Sequence, residues 1–390
     1  MRAESAYGEL VVADTAERSA LAARAGDALV ADPALATAAG PVVLEATAVG
    51  PAASARVLAP RLRDVEPALL LRYLSGPRPA YTRLPFDYRR VPSPVRAAGL
   101  ALLDRAASRR PQPDFPAWPL EARLDDERAA AWRCAGLPAA TRPTWPEGRP
   151  AAVLLTHDID SRDDIDGIGP LQTLEGERGF VAAIGFVPEV SWPGRAIVEG
   201  LGAAGYEVYC HDERHDGQLP YRGADGIRRT FERFFDRQPW ARPLVRGFRA
   251  GQLLMSGDLA VAVRDWFDLD LSIPTSERGG PYRGTAGCGT VFPFWLDRLL
   301  ELPLTLPQDY YLFNVDRQSG PEIARTWVQT LVAIVARGGV AVVNTHPVWT
   351  NPRRPPVWDA YVALLDAVTA SGAWVTTPSA ARDWLASRRA

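Results

Sequence analysis

From about Pro150 onward, short apolar runs rich in β-branched residues alternate with longer segments of helical period. No other feature of the chain restricts its fold as tightly. "AAVLLT", "FVAAIGFV", "YEVYC", "PLVRGF", "FDLDLSI", "LELPLT" and "VAVVNT" each read as a buried strand. "PLQTLEGERG", "GRAIVEGLGAAG", "DGIRRTFERFFD", "GDLAVAVRDW", "PEIARTWVQTLVAIVARGG" and "WDAYVALLDAVTASG" each read as a helix. Such alternation implies right-handed crossovers and a parallel sheet, hence an α/β fold. Seven strands over roughly 240 residues suit a closed barrel of the TIM type or a distorted relative of it. A doubly wound open sheet is the alternative, but no Gly-rich dinucleotide fingerprint follows the first strand.

Residues 1–147 have a different texture, rich in Ala and Arg. "TAERSALAARAGDALV" and "SPVRAAGLALLDRAASRR" are plausible helices, and "PVVLEATAV" a plausible strand. "RRPQPDFPAWPLEARLDDERAAAW" carries Pro at short intervals, as segments that wrap over a neighbouring domain often do. This predicts an accessory α/β or mostly helical domain with a Pro-rich linker over 1–147, and the main domain over 148–390. The chain is 47% hydrophobic with 12 Trp, enough for a sizeable core. A net charge of -2 argues against nucleic acid or an anionic membrane as the main partner. All 44 basic residues are arginine, which excludes Schiff-base chemistry through lysine. Three cysteines (Cys134, Cys210 and Cys288) without a CxxC make a disulfide framework or a cysteine zinc site unexpected. The opening "MRAESAYGEL" lacks a signal-peptide pattern, and no run reaches the ~20 apolar residues of a membrane span. A soluble, cytoplasmic protein without a membrane span is the expectation.

The four histidines are His157, His211, His215 and His346, and each lies at or just past a predicted strand end. Arg249 ends another strand. Strand C-termini converge on one face of a parallel barrel, so these residues should meet in one cleft. "HDERH" is an H-x3-H pair, and on a helical turn this spacing points both imidazoles to one side. Two histidines leave a divalent cation short of a third protein ligand, and "HDID" supplies Asp158 and Asp160. One of these carboxylates can bind the cation while the other serves as a base. The plain alternative for D-x-D is an Asx-turn or a helix cap. Arg249 either orients a base carboxylate or forms an ordinary ion pair. His346 reads as a general acid, a fourth ligand or a core histidine. His157 should leave its strand on the opposite face from Asp158, as a packing or supporting residue.

Taken in order, "LLTHDID", "EVYCHDERH", "GFRAG", "VVNTHP" and "WVTTPSAARDWL" resemble the motifs of the NodB-homology polysaccharide deacetylases, carbohydrate esterase family four. The resemblance spans roughly residues 150–390. The first motif is usually T-F-D-D-G and here takes a D-x-D form; Gly251 stands where the third motif commonly has proline. The resemblance implies a distorted (β/α)7, TIM-like barrel and a metal-dependent hydrolase of amide C–N bonds. It makes Asp160, His211 and His215 the ligands of one divalent cation, zinc first, with cobalt, nickel or iron as alternatives. It makes Asp158 the base oriented by Arg249, and His346 the acid that protonates the departing nitrogen. The family's acidic residue that tunes the acid histidine has two candidates, Asp270 and Glu301. With no signal-peptide pattern apparent, an intracellular N-acetylated sugar or glycoconjugate is the expected substrate, and Trp192, Trp295 and Trp349 are candidate platforms for stacking it. The D-x-D form also occurs in members acting on amides or imides that are not polysaccharides, so a non-sugar amide, imide or N-acyl small molecule is the second reading. A catalytically silent binding protein on the same fold is the third.

Overall fold

The computed structural model describes residues 145–275 and 287–387, with short stretches before residue 100. In chain order the strands are β1 (Ala152–Ile159), β2 (Ala182–Phe186), β3 (Glu207–His211), β4 (Gly247–Arg249), β5 (Leu269–Asp270), β6 (Phe294–Leu296), β7 (Leu299–Glu301), β8 (Val340–Thr345) and β9 (Trp374–Val375). The helices are α1 (Ile168–Gly176), α2 (Arg195–Ala203), α3 (Gly223–Arg237), α4 (Gly257–Val263), α5 (Gly320–Val335), α6 (Pro355–Ser371) and α7 (Pro378–Ser387). Each of the seven apolar runs overlaps a strand of this sheet. They lie in the order β8–β1–β2–β3–β4–β5–β7, all parallel. β6 is antiparallel to β7, residues Ala3–Ser5 are antiparallel to β6, and β9 runs parallel to the start of β1.

The sheet curls until its two ends meet through irregular segments. Beyond β7, Leu306 N donates to Val342 O of β8 at 3.1 Å, and Val342 N donates to Thr305 Oγ1 at 2.7 Å. At the start of β8, Val340 N donates to Val291 O at 2.9 Å. The barrel is therefore distorted rather than regularly laddered, because β5 and β7 are only two and three residues long. All eight residues of β1 are buried, as expected for a central parallel strand covered on both faces.

The helices pack by apolar stripes at helical spacing. Ile227, Phe231, Phe234 and Phe235 face inward from α3, and Ile323, Trp327, Leu331 and Ile334 from α5. A capping box of Ser319 and Glu322 starts α5, and Gly372, at φ +66°, ends α6 in the left-handed conformation that glycine adopts without a Cβ clash. No helix among the described residues is long and apolar enough to cross a membrane.

Glu45–Ala46, inside "PVVLEATAV", pairs antiparallel with Leu29–Val30. The last two residues of the helix expected over 15–30 are thus strand; its remainder, most of the helix expected over 93–110 and the Pro-rich segment lie outside the described residues.

Candidate functional site

Alternation along the strands decides which side chains enter the barrel. Thr156 and Asp158 on β1, Tyr209 and His211 on β3, Arg249 on β4 and Asn344 on β8 all point inward and touch one another. Arg249 is completely buried. Its Nη1 donates to Asp158 Oδ1 at 3.0 Å, Tyr209 Oη at 2.6 Å and Asn344 Oδ1 at 2.7 Å. Its Nη2 donates to Thr156 Oγ1 at 3.0 Å and its Nε to Leu271 O at 3.0 Å. Tyr209 Oη donates to Asp158 Oδ1 at 2.5 Å, and Asn344 Nδ2 donates to Asp158 Oδ2 at 2.7 Å. Burial alone would raise the Asp158 pKa, but the Arg249 guanidinium, then His211 and His346, hold it at about 2. Asp158 is thus an ionised carboxylate with both oxygens fixed.

Asp160 lies one residue beyond β1, and its side chain is 32% exposed. Its Oδ1 is 3.1 Å from His211 Nε2 and 3.3 Å from His215 Nε2, and its Oδ2 is 3.9 Å from His346 Nε2. His211 Nδ1 lies 3.1 Å from Arg249 O, a carbonyl that can only accept, so Nδ1 carries the proton. In the neutral ring, Nε2 therefore presents a lone pair to a carboxylate oxygen. Two acceptors in contact require a proton or a cation between them. Among the described residues, one set of acids, histidines or cysteines has donor atoms mutually close enough to hold an ion, and it is Asp160, His211 and His215. A tetrahedral ion with bonds of about 2.0–2.1 Å places its ligand atoms about 3.4 Å apart, close to the two separations seen. The donor set fits a divalent cation such as zinc.

"HDERH" is not a helical turn. Asp212 and His215 have φ of +60° and +57°, so the two imidazoles are brought together by a left-handed loop. Their ring centroids are 5.0 Å apart. The loop needs Gly251 beneath it: a Cβ there would lie 2.2 Å from Asp212 Oδ2 and 2.9 Å from His215 Cδ2.

His346 follows β8 directly. Its Nδ1 is 2.7 Å from Asp309 Oδ1, and its backbone N donates to Asp309 Oδ2 at 2.8 Å. Burial would lower the His346 pKa, but Asp309, Asp160 and Asp158 outweigh it and raise the value to about 10. Asp309 thus occupies the place anticipated for Asp270 or Glu301, and neither of those hydrogen-bonds His346. They form a buried pair in the sheet near Arg249. Asp270 Oδ1 accepts from Ser272 N at 3.1 Å, and Glu301 Oε1 accepts from Ile273 N at 2.9 Å. Asp309 had one legible signal, as the single acid between Glu301 and Asp316. Tyr209 and Asn344 had none, since an aromatic or an amide inside a buried run reads as packing.

His157 leaves β1 on the outer face. Its Nδ1 lies 2.7 Å from Thr345 Oγ1 and its Nε2 2.8 Å from Glu175 Oε1, beneath α1 and α6. The three tryptophans separate. Trp295 is 3% exposed within β6 and cannot stack on a substrate. Trp192 is committed to the helix layer, with Phe234 at 4.7 Å and Trp240 at 6.3 Å between ring centroids. Trp349 is partly exposed, three residues from His346, with Tyr310 and Phe313 each 6.0 Å away and the Arg354 guanidinium 4.5 Å over its ring.

No family model and no curated protein matches the chain. Solved structures do. A Mycobacterium smegmatis protein assigned to the polysaccharide deacetylases superposes with a TM-score of 0.52 at 18% identity, over 63% of this chain and 94% of its own. PuuE allantoinase superposes with a TM-score of 0.51 at 14% identity, over 64% of this chain and 96% of its own. The chain has the fold of the NodB-homology polysaccharide deacetylases.

Proposed function

We propose that the protein is a metal-dependent hydrolase of carbon–nitrogen bonds, foremost an N-deacetylase of an N-acetylated sugar or glycoconjugate. One observation carries this reading: Asp160 Oδ1 lies within 3.3 Å of two imidazole nitrogens, flanked by a fixed carboxylate and a carboxylate-bound histidine. Asp160, His211 and His215 would hold the cation. When bound, it supplies Lewis acidity to the substrate carbonyl and makes water a better proton donor.

The chain's own groups do the rest. Asp158 takes the proton of the attacking water. Arg249 and Tyr209 hold its Oδ1 and Asn344 orients its Oδ2, so the base does not swing. His346, kept charged and oriented by Asp309, gives its Nε2 proton to the departing nitrogen. Water and amide become amine and carboxylate, and the two proton transfers balance. Trp349, with Tyr310 and Arg354, offers a partly exposed aromatic face beside His346, which suits the flat face of a sugar ring.

Acetate release from N-acetylated sugars, sugar nucleotides and small non-sugar amides tests the reading. Release from a sugar, abolished by chelator and restored by zinc, is expected. Release from the small amides alone would move the assignment to the second substrate class. Zinc-loaded protein that releases nothing from any of them would leave the silent binding protein.

A further inference from the structure

The metal loop is built from backbone that its own residues disfavour. Four non-glycine residues with positive φ lie in two touching loops: Asp212 (60°) and His215 (57°) after β3, and Gln252 (56°) and Leu253 (54°) after β4. Side chains disfavour this region, so something outside the loops must hold them there. The supports come from residues 73–76 and 78–84, far from the barrel in sequence. Tyr73 Oη donates to Leu253 O, and Tyr81 Oη donates to Gln252 Oε1. Both strained residues after β4 are therefore gripped by a tyrosine hydroxyl of this segment. Gln252 passes the restraint on, since its Nε2 donates to His215 O at 3.3 Å.

The segment is itself firmly seated. Thr82 is completely buried; its Oγ1 donates to Pro79 O at 2.7 Å and accepts from Arg78 Nε at 3.0 Å. The Arg78 guanidinium lies 4.9 Å over the Tyr221 ring. Gly217, two residues past His215 at φ +72°, leaves room for the segment: a Cβ there would lie 3.1 Å from Thr82 Cγ2 and 3.3 Å from Tyr81 Cε2.

We propose that residues 73–76 and 78–84 act as a strap that sets the metal-binding loop, with Tyr81 and Gln252 as positioning residues for His215. This gives the N-terminal part of the chain a task in the site. The inference rests on Asp160, His211 and His215 being the metal ligands.

The test is a double-mutant cycle on the full chain with Tyr81→Phe, Gln252→Met and the pair. It reads zinc affinity by chelator competition and the melting temperature of the chelated protein. Each single variant should bind zinc about tenfold more weakly, the usual cost of losing a partner behind a metal ligand. The double variant should be no weaker than either single, because both break one chain of contacts. Melting of the chelated protein should stay within about 2 °C of wild type. Arg83→Ala, on the exposed side of the same segment, should bind zinc like wild type.

Zinc affinity within about twofold of wild type in both single variants would overturn the strap alone. So would additive losses that follow a falling melting temperature. Wild-type protein that binds no zinc would overturn the metal site together with the strap.

Discussion

At the scale of single residues, the site depends on what each side chain finds behind it. Gly251 illustrates this most sharply. It stands where the resembled motif commonly has proline, and the absence of a Cβ lets the Asp212 carboxylate and the His215 ring lie against it. Asp212 is buried and its Oδ1 is held by Glu213 N at 2.8 Å, so it has little room to retreat. Gly251→Ala should therefore displace His215 and weaken zinc binding by about 10–100-fold, measured by chelator competition. Unchanged affinity would show that the loop yields without moving the imidazole. Asp160 and the histidine pair were legible as chemistry because these residue types rarely cluster at strand ends for packing alone. Asp309 was legible only as a lone acid between Glu301 and Asp316, because its role comes from the ring it touches.

At the scale of elements, neighbouring strands supply complementary volumes. Gly185 on β2 is the register partner of Tyr209 on β3. A Cβ at Gly185 would lie 2.2 Å from Tyr209 Cε2 and 2.9 Å from Asp158 Oδ1. The small residue thus makes space for the ring that delivers a hydroxyl to Asp158. Gly185→Ala should destabilise the fold by about 1–3 kcal/mol, the usual cost of overpacking, and lower kcat. Adding Tyr209→Leu, which removes the colliding ring atoms, should recover stability in denaturant titrations but not kcat. If the second change restored activity as well, Tyr209 would be a space-filler only. Strand and helix positions were readable from period alone, because a central parallel strand must be apolar and a packed helix must carry a stripe. The H-x3-H pair was read with helical geometry, but β3 runs through His211 and Asp212 N extends its ladder to Arg249 O at 2.8 Å, so the first histidine belongs to a strand rather than to a helical turn.

At the scale of the whole molecule, folding sequesters more acid than the mechanism uses. Asp270 and Glu301 are completely buried in adjacent strands. Burial, only partly offset by hydrogen bonds from Ser272 and Glu301, raises the Asp270 pKa from 3.8 to about 6. Burial and then the Asp270 charge push Glu301 upward as well. A carboxyl raised on folding favours the protonated folded state. Its contribution is fully present below the unfolded value of 3.8 and is lost as pH rises through about 6. Asp270→Asn should therefore gain on wild type between pH 4 and pH 8, by on the order of 2–3 kcal/mol in chemical denaturation. A pH-independent difference would mean that the pair does not titrate with folding.

The sequence by itself determined the parallel α/β sheet, the opposite facing of His157 and Asp158 on β1, and the types of group that gather at the strand ends. These follow from local period and alternation, which are properties of consecutive residues. The tertiary structure alone decided that Asp309 rather than Asp270 or Glu301 holds His346, that Trp349 rather than Trp295 faces outward beside it, and that Tyr81 reaches Gln252. Those pairings join residues brought together only by strand order and loop conformation, and no periodicity within the chain encodes a contact of that kind.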